Sequence, residues 1–100
     1  MSKLTSKQRA FLRSQAHSLK PILHVGNEGV TPEVLAAVEE AFNTRELFKV
    51  KVLDGAPLKP KEAGAAIAGG VEGVSVPQTI GRTVVLYRAF PDGPEIELPG

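Results

Sequence analysis

Basic side chains without acidic neighbours distinguish the first 24 residues of the chain. The basic residues of this segment are Lys3, Lys7, Arg9, Arg13 and Lys20, and it contains no acid. On a helical wheel, Arg9, Arg13, His17 and Lys20 fall within about 80° of one another. Helix surfaces usually mix both signs of charge to gain ion pairs. An unmixed stripe favours contact with the phosphates of a nucleic acid, and an ordinary solvated surface is the alternative.

A second candidate site is the short glycine loop Gly26-Asn27-Glu28-Gly29. Glycines lack the Cβ atom that would keep a ligand away from the backbone, and they permit positive φ. The loop leads into Thr31 and Pro32, a typical cap and first residue of a helix, whose end attracts anions. Such a loop can hold a nucleic-acid backbone, as the GXXG loop of KH domains does. An ordinary strand-to-helix turn is the alternative.

Patterns for catalysis and metal binding are absent from the sequence. The chain has no cysteine, which excludes disulfides, thiolate metal sites and cysteine nucleophiles. Its two histidines, His17 and His24, have no carboxylate at a motif spacing that would orient them. No nucleophile elbow, phosphate loop or carboxylate pair suited to acid–base catalysis occurs. We therefore expect no metal, no cofactor and no enzymatic activity.

Hydrophobic spacing indicates the elements that position these residues. The predicted order is a helix from Thr5 to Pro21, a strand at 22–25, a helix from Thr31, a strand at 47–53, a helix at 60–68 and strands at 74–80 and 83–89. Thr5 and Gln8 match a capping box. Pro77 predicts that the third strand lies at a sheet edge or is broken, because proline has no amide hydrogen to donate.

The formal net charge of +1 conceals an uneven distribution. The block charges are +5, −4, +3 and −3 for residues 1–24, 25–48, 49–61 and 62–100. In the strand at 47–53, Lys49 and Lys51 alternate with apolar residues and therefore share one face. If this face adjoins the first helix, the molecule has one basic surface, with acids concentrated on the second helix and the C-terminal segment.

Length and composition predict one domain over residues 1–90, followed by an irregular tail at 91–100. The chain has 100 residues, an apolar fraction of 42% and, in residues 90–100, three prolines and two glycines. The sequence has no apolar run near 18 residues, and its N-terminus lacks a signal-peptide core. We therefore expect a cytoplasmic monomer without membrane contact.

Four local sequences occur in an informative order. They are LTSKQR at 4–9, HVGNEGVT at 24–31, ELFKVKV at 46–52 and GRTVVLYR at 81–88. Together they resemble the CRM (chloroplast RNA splicing and ribosome maturation) domain in its stand-alone bacterial YhbY-like form, over residues 4–90. The resemblance implies an RNA-binding, two-layer α+β fold of order α-β-α-β-α-β-β. It also implies a four-stranded mixed sheet with packed helices, similar to the C-terminal domain of translation initiation factor three.

The resemblance and the charge pattern together define a candidate RNA-binding set. Its members are Lys7, Arg9, Arg13, Lys20, Gly26, Asn27, Glu28, Gly29, Lys49, Lys51, Arg82 and Arg88. Family loops commonly carry a lysine between the glycines, where this chain has Asn27 and Glu28. We therefore expect the loop to hold RNA through backbone amides and Asn27. Because aromatic residues make up only 5% of the chain, we expect recognition of duplex or folded RNA by backbone and shape.

Two functions remain open from the sequence. Stand-alone bacterial family members are linked to precursors of the large ribosomal subunit. The resemblance thus implies binding of ribosomal RNA or of a pre-large-subunit particle, assisting ribosome assembly, with ribosomal proteins as possible further partners. The alternative is a protein-interaction module that docks a basic ribosomal protein or assembly factor through its acidic residues.

Overall fold

The computed structural model describes residues 4–100, so Lys3 of the first basic block lies outside it. Within this range the elements are α1 (Ser6–Ala16), β1 (Pro21–Val25), α2 (Pro32–Ala41), β2 (Leu47–Val52), α3 (Pro60–Gly70), β3 (Ser75–Ile80) and β4 (Thr83–Tyr87). This confirms the predicted α+β class and the order α-β-α-β-α-β-β. None of the helices in residues 4–100 is long and apolar enough to cross a membrane.

The helix starts follow the local sequence. At α1, Thr5 Oγ1 accepts a hydrogen bond from the Gln8 amide at 3.1 Å, and Gln8 Oε1 accepts one from the Thr5 amide at 3.0 Å. This is the predicted capping box. At α2, Thr31 Oγ1 accepts a hydrogen bond from the Val34 amide at 3.2 Å. Helix α1 ends at Ala16, earlier than predicted, and Pro21 instead begins β1.

The four strands form one mixed sheet in the order β1-β2-β4-β3. Strand β1 is parallel to β2, and the other two pairings are antiparallel. Strand β3 is an edge strand, as Pro77 predicts, and its register with β4 shifts between Ser75 and Gln78. The shift surrounds the proline because it cannot donate to the ladder.

Helices cover both faces of the sheet, which corrects the expected two-layer arrangement to three layers. Helices α2 and α3 pack on one face, here called the helix-pair face, against residues that include Phe48, Val50, Val84 and Leu86. Helix α1 packs on the opposite face, the α1 face, in a second core made by Leu12, Ala16, Leu47, Val85 and Tyr87. Side chains alternate between faces along a strand, and β4 is buried from Val84 to Tyr87. Other elements must therefore pack on both faces of β4.

The C-terminal segment, residues 91–100, forms no helix or strand, yet it is fastened to the domain. Its anchor is the carboxylate of Glu46, which is only 3% exposed. This carboxylate accepts hydrogen bonds from the amides of Phe90 (2.6 Å), Glu95 (3.0 Å) and Ile96 (2.7 Å). Gln8 Nε2 of α1 donates to the carbonyl of Pro99 at 3.1 Å. The segment thereby covers part of the second core.

Candidate nucleic-acid interface

The basic side chains of α1 have no acidic partner in the part of the chain that the structure describes. The two ion pairs of residues 4–100 join Arg82 to Asp54 and Arg88 to Glu39, both away from α1. Arg13 is fully exposed, whereas Arg9 is partly buried and donates to the carbonyl of Leu4 at 3.0 Å. A carbonyl does not neutralise a guanidinium, so the helix keeps its positive charge.

The rotation of α1 decides which way these cations face. Its buried side chains rest on the sheet, and Gln8 on one flank reaches the C-terminal segment. At 100° per residue, Arg13 lies about 140° around the helix from Gln8, on the opposite flank. That flank faces the half of the sheet that α1 leaves uncovered. Lys7 lies about 200° from Arg9, and Lys20 lies four residues beyond Ala16, where α1 ends, so the structure keeps only Arg9 and Arg13 of the predicted basic stripe together on the helix.

The lysines of β2 lie on the same face as α1. They alternate with residues of the first core and share their side with Leu47, which packs against α1. Lys49 Nζ donates to the carbonyls of Leu19 at 2.9 Å and His17 at 3.4 Å. Lys49 therefore satisfies carbonyls at the C-terminal end of α1, where a positive charge is favourable. Lys51, one step along this face, is exposed.

The glycine loop lies at the end of β1, and its second glycine is required by geometry. Gly29 has φ of +77°, and a Cβ there would approach Pro57 Cγ to 3.1 Å. Its amide donates to the carbonyl of Gly26 at 3.0 Å, which closes the turn. Asn27 and Glu28 are exposed. Within residues 4–100, the amides of Asn27 and Glu28 donate no hydrogen bond, so both can serve an anionic ligand.

The loop after β2 supports the glycine loop. A Cβ on Gly55 would overlap Asn27 Oδ1, so the Asn27 side chain rests directly on the backbone of Gly55. Arg82, in the turn between β3 and β4, reaches the same end of the sheet. Its guanidinium donates to the carbonyls of Val52 at 2.8 Å and Leu53 at 2.7 Å. Arg82 therefore fixes the end of β2 beside the glycine loop and keeps 42% of its side chain exposed.

Arg88 lies apart from the other members of the candidate set. It follows β4, whose last residues lie at the sheet end opposite the glycine loop. Arg88 Nη2 donates to Glu39 at 2.7 Å, Nη1 donates to the carbonyl of Glu72 at 3.2 Å, and the guanidinium lies 5.0 Å from the centre of the Phe42 ring. The hydrogen bond from Arg88 lowers the pKa of Glu39. Arg88 thus joins α2 to the segment after α3.

Acidic side chains gather on the other side of the sheet. Glu33, Glu39 and Glu40 are exposed on α2, which covers the helix-pair face. The cations of α1 and β2 lie on the opposite face, but Lys61 of α3 lies on the helix-pair face and Glu95 and Glu97 lie in the C-terminal segment beside α1, so the charge is only partly separated across the sheet. Glu28 in the glycine loop is an exposed acid at the basic end. In residues 4–100, no group of three His, Cys, Asp or Glu side chains is arranged to hold a metal ion.

Sequence reasoning missed one residue at the site and one that holds the C-terminal segment. Gly55 supports Asn27, and the only local signal was the Asp54-Gly55 turn itself. Glu46 anchors the C-terminal segment, but its partners lie 44 to 50 residues away along the chain. No short pattern reveals such a contact.

Comparison with known proteins agrees with this geometry. The sequence model of the CRS1/YhbY (CRM) domain matches residues 4–88. The chain belongs to this family. CRM-domain relatives among curated proteins include the probable RNA-binding protein YqeI of Bacillus subtilis, 43% identical over 96 residues, which cover 96% of this chain and 99% of that protein. An RNA-binding protein of Haemophilus influenzae is 42% identical over 100 residues, covering 99% and 98% of the two chains.

A solved structure supports the CRM fold independently of the sequence relatives. The solution structure of SAV1595 from Staphylococcus aureus, a candidate RNA-binding protein, matches with a TM-score of 0.81 and 34% sequence identity. The match covers 97% of this chain and 100% of SAV1595. The fold of three helices and a mixed sheet is therefore similar to that of SAV1595.

Proposed function

We propose that this CRM domain binds structured ribosomal RNA, in precursors of the large ribosomal subunit, and assists their assembly in the cytoplasm. The observation that carries the proposal is the shared face of the α1 arginines and the β2 lysines, which have no carboxylate partner in residues 4–100. The names of the relatives as RNA-binding proteins support RNA as the ligand. The link to large-subunit precursors comes from the family resemblance.

The proposed mechanism is neutralisation of phosphates. Arg13, Lys20 and Lys51 provide exposed charges that displace counterions from the RNA. The amides of Asn27 and Glu28 donate to a phosphate at the glycine loop, as amides at other anion sites do. The carboxylate of Glu28 opposes this contact, so we expect the loop to orient the RNA while the cations supply most of the affinity. The protein acts by binding, without turnover of the RNA.

A salt titration tests this proposal. We expect replacement of Arg9, Arg13 and Lys20 by alanine to reduce the slope of log K against log salt by about two to three, since each phosphate contact contributes about 0.7–0.9. The control replaces Arg45, Lys59 and Lys61, three exposed cations outside α1 and β2, by alanine. A smaller reduction of the slope in the control variant supports an RNA site on the face formed by α1 and β2. An equal reduction in both variants contradicts that location, and an unchanged slope in both contradicts RNA binding by this face.

The absence of turnover is tested in the same assay. The RNA should be recovered intact after incubation with the purified protein. Cleavage that a point substitution abolishes would contradict a binding module.

A protein partner on α2 is the second candidate function. Its support is the exposed pair Glu33 and Glu40 on the face opposite the cations. A basic ribosomal protein would then bind through charge complementarity. Binding of such proteins should be lost on Glu33→Gln with Glu40→Gln, while RNA affinity is kept. The acidic surface is not the docking site if the Glu33→Gln, Glu40→Gln variant still binds the basic protein and the variant without Arg9, Arg13 and Lys20 does not.

A further inference from the structure

A row of four side chains, three of them exposed and one half-buried, crosses the half of the α1 face that α1 does not cover. The strand registers pair His24 with Lys51, Lys51 with Thr83, and Thr83 with Ile80. Each of the four strands therefore contributes one residue to the row, in the order His24, Lys51, Thr83 and Ile80. With strands about 4.8 Å apart, the row is about 14 Å long.

The row combines an imidazole, an ammonium group and an exposed aliphatic side chain, whereas an ordinary solvent-facing sheet surface is mainly polar. Ile80 is 56% exposed, the most exposed of the large hydrophobic residues in the described chain. His24 is exposed at the other end of the row, and Lys51 lies between them. An aliphatic side chain and an imidazole ring offer flat or apolar contact, and the ammonium group offers a phosphate partner. The row thus suits a ligand that is both apolar and anionic.

The surroundings of the row offer positive charge on the α1 side and the free backbone amides of Asn27 and Glu28 on the other side. The flank of α1 that bears Arg13 faces it from one side, and Lys49 beneath the end of α1 adjoins Lys51. On the other side lie the glycine loop and Arg82, whose charge is paired with Asp54. Because a helix is about 10 Å across, the sheet surface lies well below the outer surface of α1. The row is therefore bordered by α1 on one side and by the glycine loop, at the end of β1, on the other.

We infer that this row, here called the sheet row, receives the bases of an unpaired RNA segment. The inference rests on the proposed function and adds that the ligand includes a few unpaired nucleotides. Bases in a duplex are stacked inside the helix and cannot lay their faces on the sheet, whereas unpaired bases can turn their faces towards Ile80 and His24. The cations of α1 and the free amides of the glycine loop then hold the phosphates on either side of these bases.

The experiment compares two RNAs of equal length and charge, one fully paired hairpin stem and one with an internal unpaired stretch. We expect the wild-type protein to prefer the RNA with the unpaired stretch. His24→Ala with Ile80→Ala should weaken binding of that RNA about ten-fold and leave the paired RNA unchanged, because only unpaired bases contact these two side chains. Ile22→Ala is the matched control. Ile22 is an exposed isoleucine of the opposite edge strand, and it lines a hollow with Ala37 and Glu40 of α2.

A fluorescent adenine analogue in the unpaired stretch provides a second measurement. Its emission should change on binding to the wild-type protein and to Ile22→Ala, but much less with the double variant. Equal affinity of the wild-type protein for both RNAs, or a preference that survives the double substitution, overturns the inference. Salt-dependent binding of both RNAs would then still support the proposed function. Salt-independent binding of both would contradict the proposed function itself.

Discussion

The two ends of strands β2 and β4 differ sharply on the α1 face, although the strands are continuous. At the end near Leu47 and Tyr87, the face is covered by α1 and the C-terminal segment and forms a second core. At the end near Lys51 and Thr83, the same face is open and carries cations. We call these the covered end and the open end. The difference lies in what packs above the strands, and one short helix is too small to cover both ends.

Two arginines make the same contrast. Arg82 and Arg88 flank β4, and each pairs with a carboxylate. The Arg88 side chain is 20% exposed and lies against Phe42, so its ion pair joins two structural elements. The Arg82 side chain is 42% exposed and faces a carboxylate in solvent, so its pair contributes little stability and can exchange for a phosphate. The two residues are of the same type, so the difference between a structural arginine and a solvent-exposed one comes from how deeply the side chain is buried.

The largest effect expected at the covered end comes from Glu46. Glu46→Ala removes a buried acceptor of three amide hydrogen bonds and should lower the free energy of unfolding by about 3 kcal/mol. Urea denaturation measures this. Glu40→Ala, an exposed acid on α2, should change stability by less than about 0.5 kcal/mol. The RNA salt slope of Glu46→Ala, measured where the variant is folded, should match the wild type. A reduced slope would show that the two ends are coupled.

An intermediate effect is expected at the open end from Gly55. Its φ is not in the left-handed region, so Gly55→Ala fits the backbone, but the new Cβ displaces the Asn27 side chain. Because that side chain can rotate, we expect little change in stability and a several-fold loss of RNA affinity. Gly69→Ala is the control, since a Cβ at Gly69 meets open space.

A double-mutant cycle sharpens this prediction. If Gly55 acts through Asn27, Gly55→Ala should have no further effect on RNA affinity in an Asn27→Ala background. Additive losses would mean that Gly55 contributes to binding in another way.

The smallest effect concerns Tyr87 at the covered end. Burial, and secondly the negative charge of Glu46, raise the pKa of Tyr87 above its ordinary value of 10.0. The unfolded chain therefore loses this proton at lower pH than the folded chain. It follows that the free energy of unfolding falls as the pH rises above about 10.

Tyr87→Phe should remove that part of the pH dependence. Urea denaturation of the wild type and Tyr87→Phe between about pH 9 and about pH 11 gives the difference, in which the titration of other groups cancels. Parallel pH profiles would show that the hydroxyl is not shielded by the covered end.

Local patterns account for what could be predicted from the sequence. The capping box at Thr5, the cap at Thr31 and the alternation around Lys49 each depend on residues within a few positions, and all three appear in the structure. The motif order that resembles CRM domains also led to the correct topology. Pro77 correctly indicated an edge strand, since a missing donor has the same consequence in any sheet.

The remaining features depend on long-range contacts. The third layer could be inferred only by asking what covers both faces of β4, because α1 shows no sign of which face it packs on. Arg88 looked equivalent to Arg82 in sequence, and its partner Glu39 lies 49 residues away. The sheet row exists only through the registers of three strand pairs, none of which is encoded by a local motif.

The register shift around Pro77 has a consequence for how the molecule behaves at high concentration. A protein that leaves half a sheet face open and carries an exposed isoleucine on an edge strand risks recruiting strands from other chains. The shift between Ser75 and Gln78 interrupts the regular spacing of donors and acceptors along this strand. An irregular edge is a poorer template for an incoming strand than a regular one. The irregularity at Pro77 thus opposes pairing between copies of this chain.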